Sequence, residues 1–472
     1  MRVLLINPHD ASSRGFSNPP LGLAYLAGSL VSAGIDVDIA DGYIIGREGI
    51  LEKAKAYKPN IAGINCYTPG RHNVLDIAKS IKAYLPQTKI VLGGAHPTIM
   101  WKQILSNYPY VDMCVLSEGE HTIVKIAEEV PLSLIDGIAY RNINDVVMNP
   151  KRSLVEDLDS ISFPAWDLVE FEKYPQRSVP HGLVGRNIKL EPYLPVIFSR
   201  GCIGSCAFCS TWWIWQGFRN RSPGNMVDEL EHFKHRYGIE HFIFEDDLFS
   251  ANIEAAKVLC DEINRRKLEI AWFATTRVDC VDEELLRKMK SAGCYTITFG
   301  VETGSQRILD SINKKTTVNQ AEEAIVLAKE AGLYVEALLI VGNIGETEHT
   351  INETIDFLKK TKPDSVGTIG GLWIFPGTRI YESQKRAGLM DDSFWLGDAR
   401  AKVYCGEDVG ERLPLYLRAI RYRAKVGSLG FRVKYAKELL LRFSKHPIGN
   451  SLKLLRGGAR QILLLARLEG KI

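Results

Sequence analysis

The fold the sequence predicts is α/β. A doubly wound, Rossmann-like parallel sheet comes first, then a partial (β/α)6 barrel, then a basic helical tail. Three observations predict it. Across residues 1–140, short β-branched runs alternate with amphipathic helical stretches. The same alternation resumes at residue 195 and repeats six times. Beyond residue 411 the composition changes: residues 412–472 hold fifteen Lys or Arg and two acids, a local charge of +13. Residues 1–411 are left with 44 bases and 54 acids, so the overall +3 hides an asymmetry.

In order, the first region has strands expected at 2–6, 35–39, 61–65, 89–92 and 112–115, and helices at 21–33, 47–57, 71–84, 98–107 and 119–129. Turn-forming residues follow the strands: Asn7-Pro8, Cys66-Tyr67-Thr68-Pro69-Gly70, Gly93-Gly94-Ala95-His96-Pro97 and Ser117-Glu118-Gly119-Glu120. In a doubly wound sheet the ligand sits beyond the carboxyl ends of the strands. Glycines there let a large flat ligand approach the backbone closely. Asn7, Thr68, Gly93, Gly94 and Glu118 are the candidate contacts.

Residues 141–194 have weak periodicity and five prolines, and are expected to form a linker whose segment 161–166 packs its aromatics on a neighbour. The barrel region, 195–400, has strands expected near 195–199, 241–245, 269–275, 294–299, 333–341 and 365–372. Helices are expected at 223–237, 252–266, 282–291, 304–312, 318–331, 347–361 and 377–387. The tail, 401–472, is expected to be helical, and its stretch 451–468 is amphipathic with cationic edges.

The strongest chemical signal follows the first barrel strand. Cys202, Cys206 and Cys209 stand in C-x3-C-x2-C spacing on one loop. Three close thiolates can hold three corners of a cubane iron–sulfur cluster and leave the fourth iron open to an exchangeable ligand. A structural zinc loop would want a second Cys or His pair nearby. The other six cysteines are scattered singly, and His232 and His235 lie on a helical stretch.

This loop, with Phe208 before the last cysteine, resembles the signature of the radical S-adenosylmethionine (radical SAM) enzymes. The resemblance implies a [4Fe–4S] cluster whose open iron binds S-adenosylmethionine, reductive cleavage to a 5′-deoxyadenosyl radical, and a reductant such as flavodoxin or ferredoxin. The strand-end loops of the first 130 residues, with 19–24 before the first helix, resemble the cobalamin (B12)-binding domain fused ahead of such barrels. No Asp-x-His-x-x-Gly follows the first strand, so a histidine ligand to cobalt is not expected, and His96 is not taken as one. The bland alternative is a degenerate domain that binds nothing.

Within the barrel the resemblance points to strand-end residues as cofactor contacts. Asp246 or Asp247 would receive the methionyl ammonium or a ribose hydroxyl, the alternative being a helix cap. Arg277 reads equally as a partner of the cofactor carboxylate or of nearby acids. Glu302 resembles the position that meets the ribose or amino-acid part. Gly342 and Gly345 would bring backbone groups to the adenine, and 375–378 resembles a turn of the cobalamin-linked branch. At least one Trp of 211–215 is expected in the core, the others forming a wall beside the reactive centre.

Composition is that of an ordinary globular chain, 46% hydrophobic and 24% charged. Irregular cysteines argue for a reducing cytoplasm. Residues 2–6, stopped by Asn7-Pro8, read as a strand and not a leader, and no stretch reaches the length of a membrane span. The tail is expected either to pack on the barrel or to lie on an anionic membrane surface, which would suit a small-molecule substrate of lipid-like character. Nucleic acid is not expected, since the tail has few aromatics for stacking. The expected function is cobalamin-dependent C-methylation by a radical enzyme. The alternatives are radical cyclisation or rearrangement without methyl transfer, or a non-catalytic iron–sulfur or cobalamin-binding protein. No catalytic residue is assigned.

Overall fold

The structure is a computed structural model and describes residues 1–8, 18–142, 145–150, 153–175, 179, 183–184, 188–396, 403–404, 410 and 412–444. These form two compact units. One comprises Met1–Thr276, Glu284–Thr296 and the described part of 374–402; the other comprises Arg277–Glu283, Ile297–Trp373 and the described residues from Val403 on.

The first unit opens with β1 (Arg2–Asn7), α1 (Leu21–Ser32), β2 (Asp36–Asp41), α2 (Gly42–Tyr57), β3 (Ile61–Asn65), α3 (Arg71–Tyr84), β4 (Lys89–Gly93), α4 (Ala95–Asn107), β5 (Met113–Val115) and α5 (Glu120–Ala127). β6 (Ile138–Asn142) and β7 (Asp145–Met148) follow. The strand order is β2-β1-β3-β4-β5-β6-β7. β1 to β5 pair in parallel, β6 and β7 antiparallel. β1 buries four successive apolar residues, as a strand covered on both faces does.

Two helices start earlier than expected. α2 begins at Gly42 because the Asp41 carboxylate accepts from Tyr43 N (3.1 Å), and it kinks at Gly46. α4 begins at Ala95 because Pro97 falls in its first turn, where a missing N–H costs nothing. The sheet also runs to Met148, so the first eight residues assigned to the linker include its edge. The rest of the linker makes short turns that bury Trp166 against Phe171 and Phe233, the aromatic packing expected of 161–166.

The barrel portion of this unit comprises β8 (Tyr193–Val196), β9 (Ser199–Gly201), α6 (Thr211–Trp215), β10 (Phe218–Asn220), α7 (Pro223–Tyr237), β11 (His241–Phe244), α8 (Ile253–Arg265), β12 (Ala271–Thr276) and α9 (Glu283–Ser291). β12, β11 and β8 are parallel neighbours in that order. Ser222 caps α7 with Pro223 at its first position, and Gly238 ends it.

β13 (Cys294–Glu302) starts in the first unit and continues in the second. The second unit adds α10 (Gln306–Ser311), α11 (Val318–Glu330), β14 (Tyr334–Val341), α12 (Glu348–Thr361) and β15 (Ser365–Gly370), with strand order β15-β14-β13. Six β/α units in chain order make the partial barrel fold. α13 (Arg379–Arg386) returns to the first unit.

Of the tail, α14 (Leu413–Arg421) and α15 (Leu429–Ser444) are described. α14 buries Leu415, Tyr416, Ala419 and Ile420, and its Leu413 and Leu417 reach the backbone of β15 at Gly370. This part of the tail packs on its own unit. The amphipathic stretch 451–468 lies outside the described residues. Among the described residues no helix is long and apolar enough to cross a membrane.

Candidate functional site

The cysteine loop is suspended from a short ribbon. β9 pairs antiparallel with β10, with Ser199 opposite Asn220, Arg200 opposite Arg219 and Gly201 opposite Phe218. Gly201 has φ +89°, and a Cβ there would sit 1.9 Å from the Gly217 carbonyl oxygen, so only glycine fits. Buried Asp246 fastens the strand: its carboxylate accepts from Ser199 N (2.5 Å), Ser199 Oγ (2.5 Å) and Phe198 N (3.3 Å). Burial pushes the Asp246 carboxyl up to about 7, against the lowering effect of those bonds.

On the loop itself, Cys206 is buried and Cys202 and Cys209 are half-buried. Gly204 N lies 3.3 Å from Cys202 Sγ and Thr211 N lies 3.4 Å from Cys209 Sγ, so backbone amides face two of the sulfurs. Cys209 N donates to Cys206 O, and Ile380 N holds the Ala207 carbonyl. Burial raises the Cys209 thiol against the lowering bonds from Thr211, with smaller pushes from Asp247 and Cys202; bound iron would reverse this and hold thiolates. Among the described residues no three His, Cys, Asp or Glu are gathered as ligands of a single ion. A cluster asks for something else, one thiolate on each of three irons, with amides donating to sulfur to set its potential. The loop fits a cluster better than a zinc ion.

Beside this ribbon the first unit encloses a cavity of about 710 Å³. One wall is made of the strand-end loops of the seven-stranded sheet: Thr68, Gly93, Gly94, Ser117, Glu118 and Gly119. The facing wall is made of Ile197, Arg200, Thr211, Ile214, Trp215 and Asp247, all near the cysteine loop, with Phe375 and Pro376 alongside. Gly94, at φ +100°, leaves open a space where a Cβ would meet Asn65 Oδ1 at 2.7 Å. A cradle of small residues at strand ends fits a corrin. Among the described residues no histidine lines it. His96 is buried in a separate pocket, its Nδ1 3.1 Å from Thr68 Oγ1, and burial lowers its pKa to about 3.

The structure therefore sorts the expected site residues. Thr68, Gly93, Gly94 and Asp247 line the cavity, with Asp247 exposed and accepting from Thr211 Oγ1 at 3.1 Å. Glu118 lines it too, but its carboxylate is engaged by Arg200 (2.9 Å), Arg219 (3.1 Å) and Val155 N (2.6 Å). Asn7 lies elsewhere and donates to the Asp41 carboxylate (2.9 Å), and Asp246 faces inward. In the second unit, Arg277 makes a two-pronged pair with Asp279 (2.9 and 2.8 Å) and donates to Lys314 O (3.1 Å), which favours its ion-pair reading. Glu302, at φ +67°, is held by Lys314 Nζ at 2.5 Å. Gly342 N donates to Glu346, whose carboxyl burial raises, and Gly342 and Gly345 both have positive φ.

One expectation fails. None of Trp212, Trp213 and Trp215 is core: Trp213 is 46% exposed, Trp212 lies under Arg379, and Trp215 walls the cavity. α6 is one turn and a half, with no face to bury. The site residue that spacing did not reveal is Arg200. Its only sequence signal was its position two residues before Cys202.

Comparison with known proteins agrees with both halves of this geometry. Residues 196–358 match the family model of the radical SAM superfamily, and residues 10–127 match that of the B12 binding domain. The chain is 33% identical to an uncharacterized methyltransferase of Pyrococcus horikoshii, over 81% of this chain and 83% of that protein. It is 34% identical to the anaerobic magnesium-protoporphyrin IX monomethyl ester cyclase of Rubrivivax gelatinosus, over 77% of this chain and 66% of that longer protein. In fold it is similar to the radical S-adenosylmethionine methyltransferase TsrM of Kitasatospora setae (TM-score 0.67, 20% identity, 82% of this chain and 77% of that one).

Proposed function

The chain belongs to the radical SAM enzymes that carry a B12-binding domain, and from that premise we propose that it methylates an unactivated carbon of a small-molecule substrate in a cobalamin-dependent reaction. The observation that carries this reading is the shared cavity: one chamber walled by the strand ends of the seven-stranded sheet and by residues next to Cys209. When bound, the cluster and S-adenosylmethionine supply a primary carbon radical, and cobalamin supplies a transferable methyl group.

The chain's own contribution is placement and exclusion. Cys202, Cys206 and Cys209 would hold three irons. Thr68, Gly93 and Gly94 would admit the corrin to the strand ends. Ile214, Trp215, Phe375 and Pro376 would keep water from the reacting carbon. Asp247 is the carboxylate we assign to a bound cofactor, while Asp246 holds the strand. Arg277, Glu302, Gly342 and Gly345 stay as candidate S-adenosylmethionine contacts on the second unit, the first two acting through pairs already formed.

Ring formation is the second reading, favoured by the likeness to the cyclase. An anaerobic incubation with dithionite and substrate separates them. Methyl transfer yields 5′-deoxyadenosine and S-adenosylhomocysteine in similar amounts. 5′-Deoxyadenosine without S-adenosylhomocysteine would favour ring formation, and neither product would refute both.

In the same proposal, residues 1–148 act as the B12-binding part, 195–400 as the barrel and 401–472 as a basic surface element of a cytoplasmic enzyme. The charge of 445–472, six Lys or Arg against one acid, supports contact with an anionic membrane, and with it a lipid-like substrate. Flotation with anionic vesicles tests this: a chain truncated after residue 444 that floats as well as the intact one removes it.

A further inference from the structure

The segment from β5 into the start of α5 touches the cysteine ribbon and α6 through three of its residues, Ser117, Glu118 and Glu120. Ser117 Oγ donates to Ile214 O (3.1 Å), Glu118 accepts from Arg200 and Arg219, and Glu120 accepts from Arg200 Nη2 (2.6 Å). Arg200 and Arg219 stand directly opposite each other on the ribbon, a placement of like charges that opposes pairing unless acids intervene. Glu118 and Glu120 supply them. The Arg200, Glu118 and Glu120 side chains are each at most 8% exposed. Burial lowers the pKa of the Arg200 guanidinium, but Glu120 and Glu118 outweigh it and raise it.

The two arginines are not equivalent. Arg200 divides its two terminal nitrogens between Glu118 of the β5–α5 loop and Glu120 at the start of α5, and its guanidinium lies over the rings of Tyr25 and Trp215, both cavity residues. Among the described residues Arg219 pairs with one acid, Glu118, and its Nε and Nη2 are buried without a hydrogen-bond partner. A planar fork bridging two carboxylates fixes orientation as well as distance, which a lysine cannot do.

We propose that Arg200 is a positioning residue that locks the cysteine ribbon to the β5–α5 loop, so that filling the strand-end cavity changes the affinity for S-adenosylmethionine at the cluster. The inference rests on the cobalamin reading above. Gly119, between the two glutamates, lines the cavity, so a ligand pressing on it bears directly on both arms of the lock. Two sites sharing such an element influence each other reciprocally.

The test uses the full chain with its cluster reconstituted. S-adenosylmethionine affinity is measured by equilibrium dialysis with and without hydroxocobalamin, and the reduced cluster's electron paramagnetic resonance spectrum is recorded in each state. In the natural sequence, cobalamin is expected to shift that affinity about fivefold or more and to alter the spectrum. In Glu120→Gln and Arg200→Lys the shift is expected to fall below about twofold with iron content retained, the comparison being made at saturating hydroxocobalamin because both side chains also line the cavity. Equal shifts in the natural chain and both variants would overturn the lock. So would no shift in a natural chain that binds cobalamin. A chain that binds no cobalamin would overturn the reading beneath it instead. Should a variant lose its iron, Glu120→Asp, which keeps the charge and shortens the arm, decides by the same measurement.

Discussion

The carboxyl ends of the strands in the seven-stranded sheet and those in the barrel differ in what their residues do. In the first sheet several of the strand-end residues that face the cavity are small: Thr68, Gly93, Gly94 and Gly119 make room beside the larger Asn65 and Tyr67. At the barrel strand ends the residues are charged, and most are engaged inside the protein. Asp246 holds Ser199, Arg277 holds Asp279, and Glu302 is held by Lys314. Small strand ends accommodate a ligand, whereas buried charged ones first need a partner from the chain, and that partner fixes a loop. Glu118 shows that the rule follows chemistry and not location, since it sits among the glycines and is paired all the same.

Four changes would break or sharpen this contrast. The largest effect is expected for Cys202→Ala, Cys206→Ala or Cys209→Ala, each of which should abolish 5′-deoxyadenosine formation and visible absorption from the cluster; turnover by any of them would mean the loop is not the cluster site. Next, Lys314→Met leaves buried Glu302 without its cation and should cost about 3–5 kcal/mol in urea denaturation, while Lys314→Met with Glu302→Gln should recover much of it. A loss under about 1 kcal/mol would show the pair to be solvated.

Gly94→Ala tests the opposite side. A Cβ at φ +100° and 2.7 Å from Asn65 Oδ1 should cost about 1–3 kcal/mol and reduce retained corrin, whereas Gly224→Ala, with nothing near its Cβ and a place on α7 away from the cavity, should do neither. The smallest effect concerns pH. His96 has a folded pKa of about 3 against 6.5 when unfolded, so its contribution is fully present above 6.5 and is lost as pH falls towards 3. Between pH 7.5 and 5.5 the natural chain should lose about 1.4 kcal/mol more than His96→Gln, and equal losses would place His96 in water.

The contrast also marks what could be read without coordinates. Strand and helix positions follow from residue periodicity, which is local, and β3, α3 and α7 fall where the pattern puts them. The pattern starts α4 three residues late because His96-Pro97 looks like a turn, although proline is tolerated in a helix's first turn. The three cysteines were legible because one loop carries the whole pattern. The roles of charged residues were not, because partners lie far apart in sequence: Glu118 and Arg200 are 82 residues distant. Spacing identified Glu118 as notable but could not show that an arginine would claim it.

The central claim is that one chain holds an iron–sulfur cluster and a corrin in facing walls of one chamber. Metal analysis after anaerobic reconstitution with iron, sulfide and hydroxocobalamin, followed by desalting, tests it most directly. The account predicts about four irons and one cobalt per chain, with iron lost in Cys206→Ala and cobalt lost in Gly94→Ala. Iron retained without the cysteines, or cobalt washed away from the natural chain, would contradict it.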